Sequence, residues 1–262
     1  MIGKGPLISL VSEAVGVVGY SIAQARRAPY NQTMRTLVIP DIHHQTANAD
    51  HWLTSQKYDR VIFLGDYFDL YDDSPADATA TAQWLRNRID TTNDVFLLGN
   101  HDAPYMFPKA EDLYCPGFTQ AKAEAIAKVL KPEHWHRMKL AHFEQGWFLS
   151  HAGFHPAWMK ELTVEKVIAR CELAMERARS GVVDPILGEG ELPKQLQKMG
   201  GPLWMDWNCL LPIPGINQIV GHTSGDEVRM ADGPDSKNYC LDVNFASVAS
   251  ILEDGVIQFL AR

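Results

Sequence analysis

Short apolar runs alternate with polar, helix-patterned stretches along most of the chain. Five runs share one design, a strand-like core followed at once by side chains that bind metals or carry protons. They are TLVIPDIHH (36–44), RVIFLGDYFD (60–69), VFLLGNHD (95–102), GWFLSHAG (146–153) and NQIVGHTSG (217–225). Runs this short, rich in Val, Ile, Leu and Phe, predict strands buried on both faces. Helical patterning separates the first three, at Ala47 to Gln56 and Pro75 to Ile89, so βαβ units and a parallel sheet are expected. In such sheets the working crevice lies at the carboxyl ends of the strands, and all five runs load that end.

The tail, NYCLDVNFASVASILEDGVIQFL (238–260), alternates and carries Asp254-Gly255 between two apolar runs. That is a hairpin signal, and it predicts added antiparallel strands in a mixed sheet or a two-sheet sandwich. Two longer segments, about 103–145 and 155–216, read as inserts over the cleft. The first is expected to hold a helix around Thr119 to Leu130. The second is expected to hold one around Val164 to Arg179, then a Pro/Gly-rich stretch with Trp204 and Trp207.

Composition narrows the partners. The chain has 262 residues, 46% of them hydrophobic, enough for one large domain with a sizeable core. Its formal charge of −8 argues against nucleic-acid binding, which needs cationic partners for phosphates. Cys115, Cys171, Cys209 and Cys240 form no CxxC pair, which suits a reducing, cytoplasmic compartment. Residues 1–33 read as an amphipathic or poorly ordered extension before a domain at 34–262. Their apolar stretch, Leu7 to Tyr20, is interrupted by Glu13 and too short to span a bilayer. If residues 1–25 are instead a signal, the protein is secreted.

The loaded strand ends suggest metal chemistry. Asp41 and His43 are two residues apart, so their side chains can point the same way and share a cation. Asp66 has two oxygens and can bridge two cations. Asn100, His151 and His222 add a neutral oxygen and two nitrogens for a second ion. Mixed N/O ligation suits Mn, Fe, Zn, Ni or Co better than Ca. Two such ions clamp a phosphate and generate hydroxide near neutral pH. His101, beside a ligand, is placed to protonate a leaving oxygen, and Asp69 to orient its imidazole. Any one of these residues alone would be an ordinary turn former, helix cap or core histidine; five strand ends loaded in one order are not.

Asp41-x-His43, Gly65-Asp66-x-x-Asp69, Gly99-Asn100-His101-Asp102, SHAG around His151 and Gly221-His222-Thr223 together resemble the calcineurin-like metallophosphoesterase superfamily, nearest its serine/threonine phosphatase-like branch. The resemblance spans roughly residues 34–260. It implies an αββα-type sandwich of mixed sheets flanked by helices and hydrolysis by a hydroxide on two divalent metals, Mn foremost. It places Asp41, His43 and Asp66 on one metal, and Asp66, Asn100, His151 and His222 on the other. The pattern departs from that branch at three places, the first being His44, which stands where a Gly usually follows the first His. Leu70 stands where an Arg usually follows the second block, and MDWNCLLPIPG (205–215) lacks the Arg expected after the LW segment. Those arginines normally grip phosphate oxygens, a task suited to bidentate guanidinium. His44 and Arg229 are candidates to replace them, and Trp204 and Trp207 are candidates for contact with the leaving group.

The leading expectation is a phosphomonoesterase acting on a phosphorylated small molecule, nucleotide or phosphoprotein. A nucleotide pyrophosphohydrolase or phosphodiesterase is the first alternative, because a diester has one fewer charged oxygen to hold. A catalytically inactive binding scaffold is the second, and the complete donor set speaks against it.

Overall fold

The computed structural model describes residues 34–159, 163–188 and 200–262. The expectations for residues 1–33, the extension and the signal alike, lie outside the described residues.

Two mixed sheets carry the described chain. In the first, β1 (Thr36–Ile39), β2 (Arg60–Phe63), β3 (Val95–Leu97) and β4 (Met138–Lys139) run parallel in that order. The tail hairpin β10 (Ser247–Ile251) and β11 (Ile257–Ala261) joins antiparallel on the other side of β1. The second sheet has the order β5 (Ala141–Glu144), β6 (Trp147–Ser150), β7 (Asn217–Val220), β9 (Ser236–Cys240) and β8 (Arg229–Gly233). Here β6, β7 and β9 are mutually parallel, and β5 and β8 are antiparallel edges. The expected sandwich of mixed sheets is therefore present. Its parallel core is split, however, with three loaded strands in one sheet and two in the other.

Alternate residues explain why the first sheet is buried on both faces. Val38, Ile62 and Leu97 point inward to a core shared with Leu149, Ile219 and Leu241 of the second sheet and its loops. Their neighbours Leu37, Ile39, Val61, Phe63, Phe96 and Leu98 belong to the core on the opposite, helix-covered side. Each fully buried side chain of this size contributes about 1.5–3 kcal/mol relative to exposure.

The helices begin where local chemistry favours them. α1 (Thr46–Ser55) and α2 (Pro75–Thr91) are the two crossover helices. Ser74 and Asp77 form a reciprocal capping box at the start of α2, with Pro75 in its first turn. α3 (Ala103–Met106), α4 (Gln120–Val129) and α5 (Pro132–Trp135) follow β3. α6 (Pro156–Met159) and α7 (Val164–Arg179) follow β6. The Thr119 and Thr163 hydroxyls cap α4 and α7. The segment 103–145 is thus helical only as far as Trp135. Its end supplies β4 and β5, one edge of each sheet, because Met138 and Ala141 bury apolar side chains there.

Candidate metal centre

The carboxyl ends of β1, β2, β3, β6 and β7 meet at one place. Backbone hydrogen bonds stitch their loops together: Ile42 and His43 N–H donate to Asp66 O at 3.0 and 2.7 Å, and Gly221 N–H donates to His151 O at 2.7 Å. The buried Asp102 carboxylate accepts from Tyr67 N–H at 2.8 Å and Gly99 N–H at 2.9 Å, tying the second loop to the third. His43, Asp66, Asp69 and His222 all hold left-handed backbone conformations, φ 41, 49, 62 and 69°. Such conformations are unfavourable for residues with a Cβ and persist only where surrounding structure imposes them.

Two donor groups result, and Asp66 is in both. Asp41, His43 and Asp66 offer ligand atoms within 4.8 Å of one another, as do Asp66, His151 and His222. His43 Nε2 lies 3.5 Å and His151 Nε2 lies 3.4 Å from the same oxygen, Asp66 Oδ2. Asn100 Oδ1 joins the second group, 2.9 Å from His151 Nε2 and 3.0 Å from His222 Nδ1, and the two imidazole nitrogens are 3.2 Å apart. The distal nitrogens set which atoms are free. His43 Nδ1 lies 2.5 Å from Asp69 O and His151 Nδ1 lies 3.0 Å from Leu64 O. A neutral imidazole donating there turns its Nε2 lone pair inward. Two carboxylates, three imidazoles and an amide oxygen make an N/O donor set that fits divalent transition metals.

The electrostatics reflect how closely buried acids and imidazoles are crowded together, which shifts them in opposite directions. Burial pushes Asp41 up to about 7 against the pull of His151. Burial would raise Asp66 too, but the neighbouring His151, His101 and His43 hold it well below the usual carboxylate range. Burial and His151 push His222 down to about 4, so it is neutral and able to ligate. His151 is itself opposed by burial yet is raised to about 9 by Asp66 and Asp41.

His101 and Asp69 stand beside this cluster. His101 Nδ1 is 3.2 Å from Asp69 Oδ2, and its ring is 5.3 Å from that of His43. Burial disfavours the imidazolium, but the Asp69 and Cys115 contacts outweigh it and raise His101 to about 11. The other Asp69 oxygen accepts from Lys122 Nζ at 2.7 Å and Tyr105 OH at 2.5 Å. These hydrogen bonds, with that of His101, overcome burial and lower Asp69. Asp69, His101 and Cys115 also offer donors within 4.8 Å. We read this group as a hydrogen-bonded dyad, because Lys122, Tyr105 and His101 already occupy the Asp69 oxygens and burial pushes the Cys115 thiol up. Lys122, Tyr105 and Asp73 escaped the sequence reading. Lys122 and Tyr105 fall in the first insert, and Asp73 in the polar turn before α2, where nothing local marks them.

The four proposed substrate contacts are placed differently from one another. His44 is engaged within the chain: its ring nitrogens are 2.7 Å from Thr81 Oγ1 and 2.7 Å from Asp73 Oδ2. Arg229 is held by Thr223 O and Cys240 Sγ, with its guanidinium 5.9 Å from the centre of the Trp207 ring. It thereby ties the loop after β7 to Cys240 and to the face of Trp207. Trp204 packs edge-on to His222, ring centres 6.0 Å apart. Among the described residues of the second insert, it is the one aromatic in ring contact with the donor cluster.

Fold and donor cluster together define a metal-dependent phosphoesterase of the two-sheet α/β type. A family model for calcineurin-like phosphoesterases matches residues 34–225, and the chain belongs to that family. Curated protein sequences give no match. Among solved structures, a cold-active protein-tyrosine phosphatase from the psychrophile Shewanella sp. is similar, with TM-score 0.56 and 16% identity over 87% of this chain and 80% of that one. A protein serine/threonine phosphatase from Saccharomyces cerevisiae aligns with TM-score 0.50 and 14% identity over 87% and 80%. At such identities the likeness is one of fold.

Proposed function

We propose that the chain hydrolyses phosphomonoesters at a dinuclear centre. Asp41, His43 and Asp66 would hold one ion, and Asp66, Asn100, His151 and His222 the other. The observation that carries this reading is Asp66, whose carboxylate is common to two separate donor groups. When bound, the ions polarise phosphoryl oxygens and lower the pKa of a water. The remaining work falls to the chain. Asp66 Oδ1 is kept in place by the His101 N–H at 2.9 Å. Asp69 fixes the His101 ring through Nδ1, which leaves Nε2 to donate a proton to the leaving oxygen. Mn is our first choice of metal, with Fe, Zn, Ni or Co compatible with the same donors. Four cysteines without a CxxC pair support a cytoplasmic setting. Among the described residues no helix is long and apolar enough to cross a membrane.

A second reading, nucleotide pyrophosphohydrolase or phosphodiesterase, is favoured by one observation. Leu70, half exposed, occupies the place of a phosphate-gripping Arg, and Arg229 is engaged elsewhere. Turnover with Mn²⁺ across monoesters, diesters and dinucleoside polyphosphates separates the two. Asp66→Asn is expected to abolish turnover and lower metal content; two tightly held ions with normal turnover would overturn the site. His101→Ala is expected to keep both ions and slow catalysis by roughly 10²–10⁴. That loss should shrink on nitrophenyl phosphate, whose leaving group needs little protonation.

A further inference from the structure

Asp69 is held from every side. Its backbone O lies 2.5 Å from His43 Nδ1. A Cβ on Gly117, at φ +96°, would sit 3.0 Å from Asp69 Cβ, so the loop of the first insert closes directly over it. Its Oδ1 accepts two hydrogen bonds, from Lys122 Nζ and Tyr105 OH. Only Oδ2 is left for His101.

Lys122 is the unusual member. Its side chain is 3% exposed, and a lysine is almost never buried without a partner. It has two. Besides Asp69 it bonds both oxygens of Asp73, at 2.8 and 3.0 Å. Asp73 in turn is 2.7 Å from His44 Nε2, and His44 Nδ1 is 2.7 Å from Thr81 of α2. The helix start places the lysine, because Thr119 caps α4 by accepting from Lys122 N–H. A buried charged chain thus runs from α2 through His44, Asp73 and Lys122 to Asp69 and His101. Core packing alone does not call for such a chain, since apolar side chains of similar volume would be as stable or more so.

We propose that Lys122 and Tyr105 are positioning residues for leaving-group protonation: they hold one oxygen of Asp69 so that the other fixes the His101 ring. The inference rests on His101 as the proton donor. Without the clamp the Asp69 carboxylate can rotate, and the His101 ring loses its fixed tautomer and aim. Neither residue bonds a metal donor itself; the nearest link runs through the Asp69 backbone oxygen to His43, and the clamp acts on the Asp69 carboxylate instead, so the ions should be unaffected.

The test is a double-mutant cycle on the full chain. Lys122→Met and Tyr105→Phe are each made alone and with His101→Ala. Both are assayed on an alkyl phosphate and on nitrophenyl phosphate, with bound metal measured. Each single change is expected to lower kcat/KM on the alkyl phosphate by about 10- to 100-fold, less than losing the acid itself. The loss on nitrophenyl phosphate should be several-fold smaller, at unchanged metal content. In the His101→Ala background either change should cost little more. Losses that multiply with that of His101→Ala, or that come with loss of metal, would overturn the clamp. A uniform loss in His101→Ala alone would overturn the acid reading, and the coupling in the double variants would still decide the clamp. If Lys122→Met does not fold, Tyr105→Phe, which removes one hydroxyl and no charge, carries the same cycle.

Discussion

Gly99 has no room for a side chain. A Cβ there would lie 2.0 Å from Asp66 Oδ1 and 2.3 Å from Asp66 N. The glycine lets the third loop lie directly against the carboxylate shared by both donor groups. Gly221 does the same for Asp41, where a Cβ would come within 2.0 Å of Oδ1. Gly99→Ala must displace backbone or Asp66, and overpacking of this kind costs about 1–3 kcal/mol. Thermal denaturation should show that loss, and metal analysis a lower content in the folded fraction. Full metal content with unchanged stability would mean that the loop moves aside without consequence.

Elements are tied across the sandwich as well as within each sheet. Glu144 of β5 accepts from the Thr36 hydroxyl of β1 at 3.0 Å and from Arg60 of β2 at 2.8 Å, and His142 lies 2.8 Å away. Burial would raise Glu144, but His142, Arg60 and Thr36 together hold it at about 2, below the ordinary 4.5. A carboxyl depressed on folding stabilises the folded state above its unfolded pKa and ceases to do so as pH falls through the folded one. The contribution should be complete above about pH 4.5 and vanish near pH 2. Glu144→Gln should therefore be less stable than the parent chain at pH 7. The gap should close as denaturation is measured at progressively lower pH; a gap independent of pH would deny the carboxylate this role.

At the scale of the molecule, the donor cluster is made where two sheets meet. Three parallel strands deliver Asp41, His43, Asp66, Asn100 and His101, and two strands of the opposite sheet deliver His151 and His222. All these residues lie beyond Met34. We propose on that ground that residues 1–33 are dispensable. A chain starting at Met34 should fold, bind metal and turn over with unchanged kcat, checked by circular dichroism, metal analysis and assay. An insoluble product would show that the apolar stretch from Leu7 to Tyr20 is needed by the domain.

The sequence by itself determined the strands and the kind of chemistry at their ends. Apolar runs such as VIFL and VFLL are local signals, and Asp, His and Asn directly after them need no knowledge of distant partners. The longer helices and the Asp254-Gly255 hairpin were legible for the same reason, since helical patterning and turns depend on neighbours in the chain. Only the tertiary structure decided that the five loaded ends belong to two sheets, because strand pairing is a contact between remote segments. It also decided the fates of His44 and Arg229. A polar side chain near a cleft binds a ligand or a neighbour according to what lies within about 3 Å of it, and for these two the neighbours are Asp73, Thr81, Thr223 and Cys240. Lys122 was invisible for that same reason. In sequence it is one lysine on a mixed helix, and only the fold, 53 residues away in the chain, brings it to Asp69.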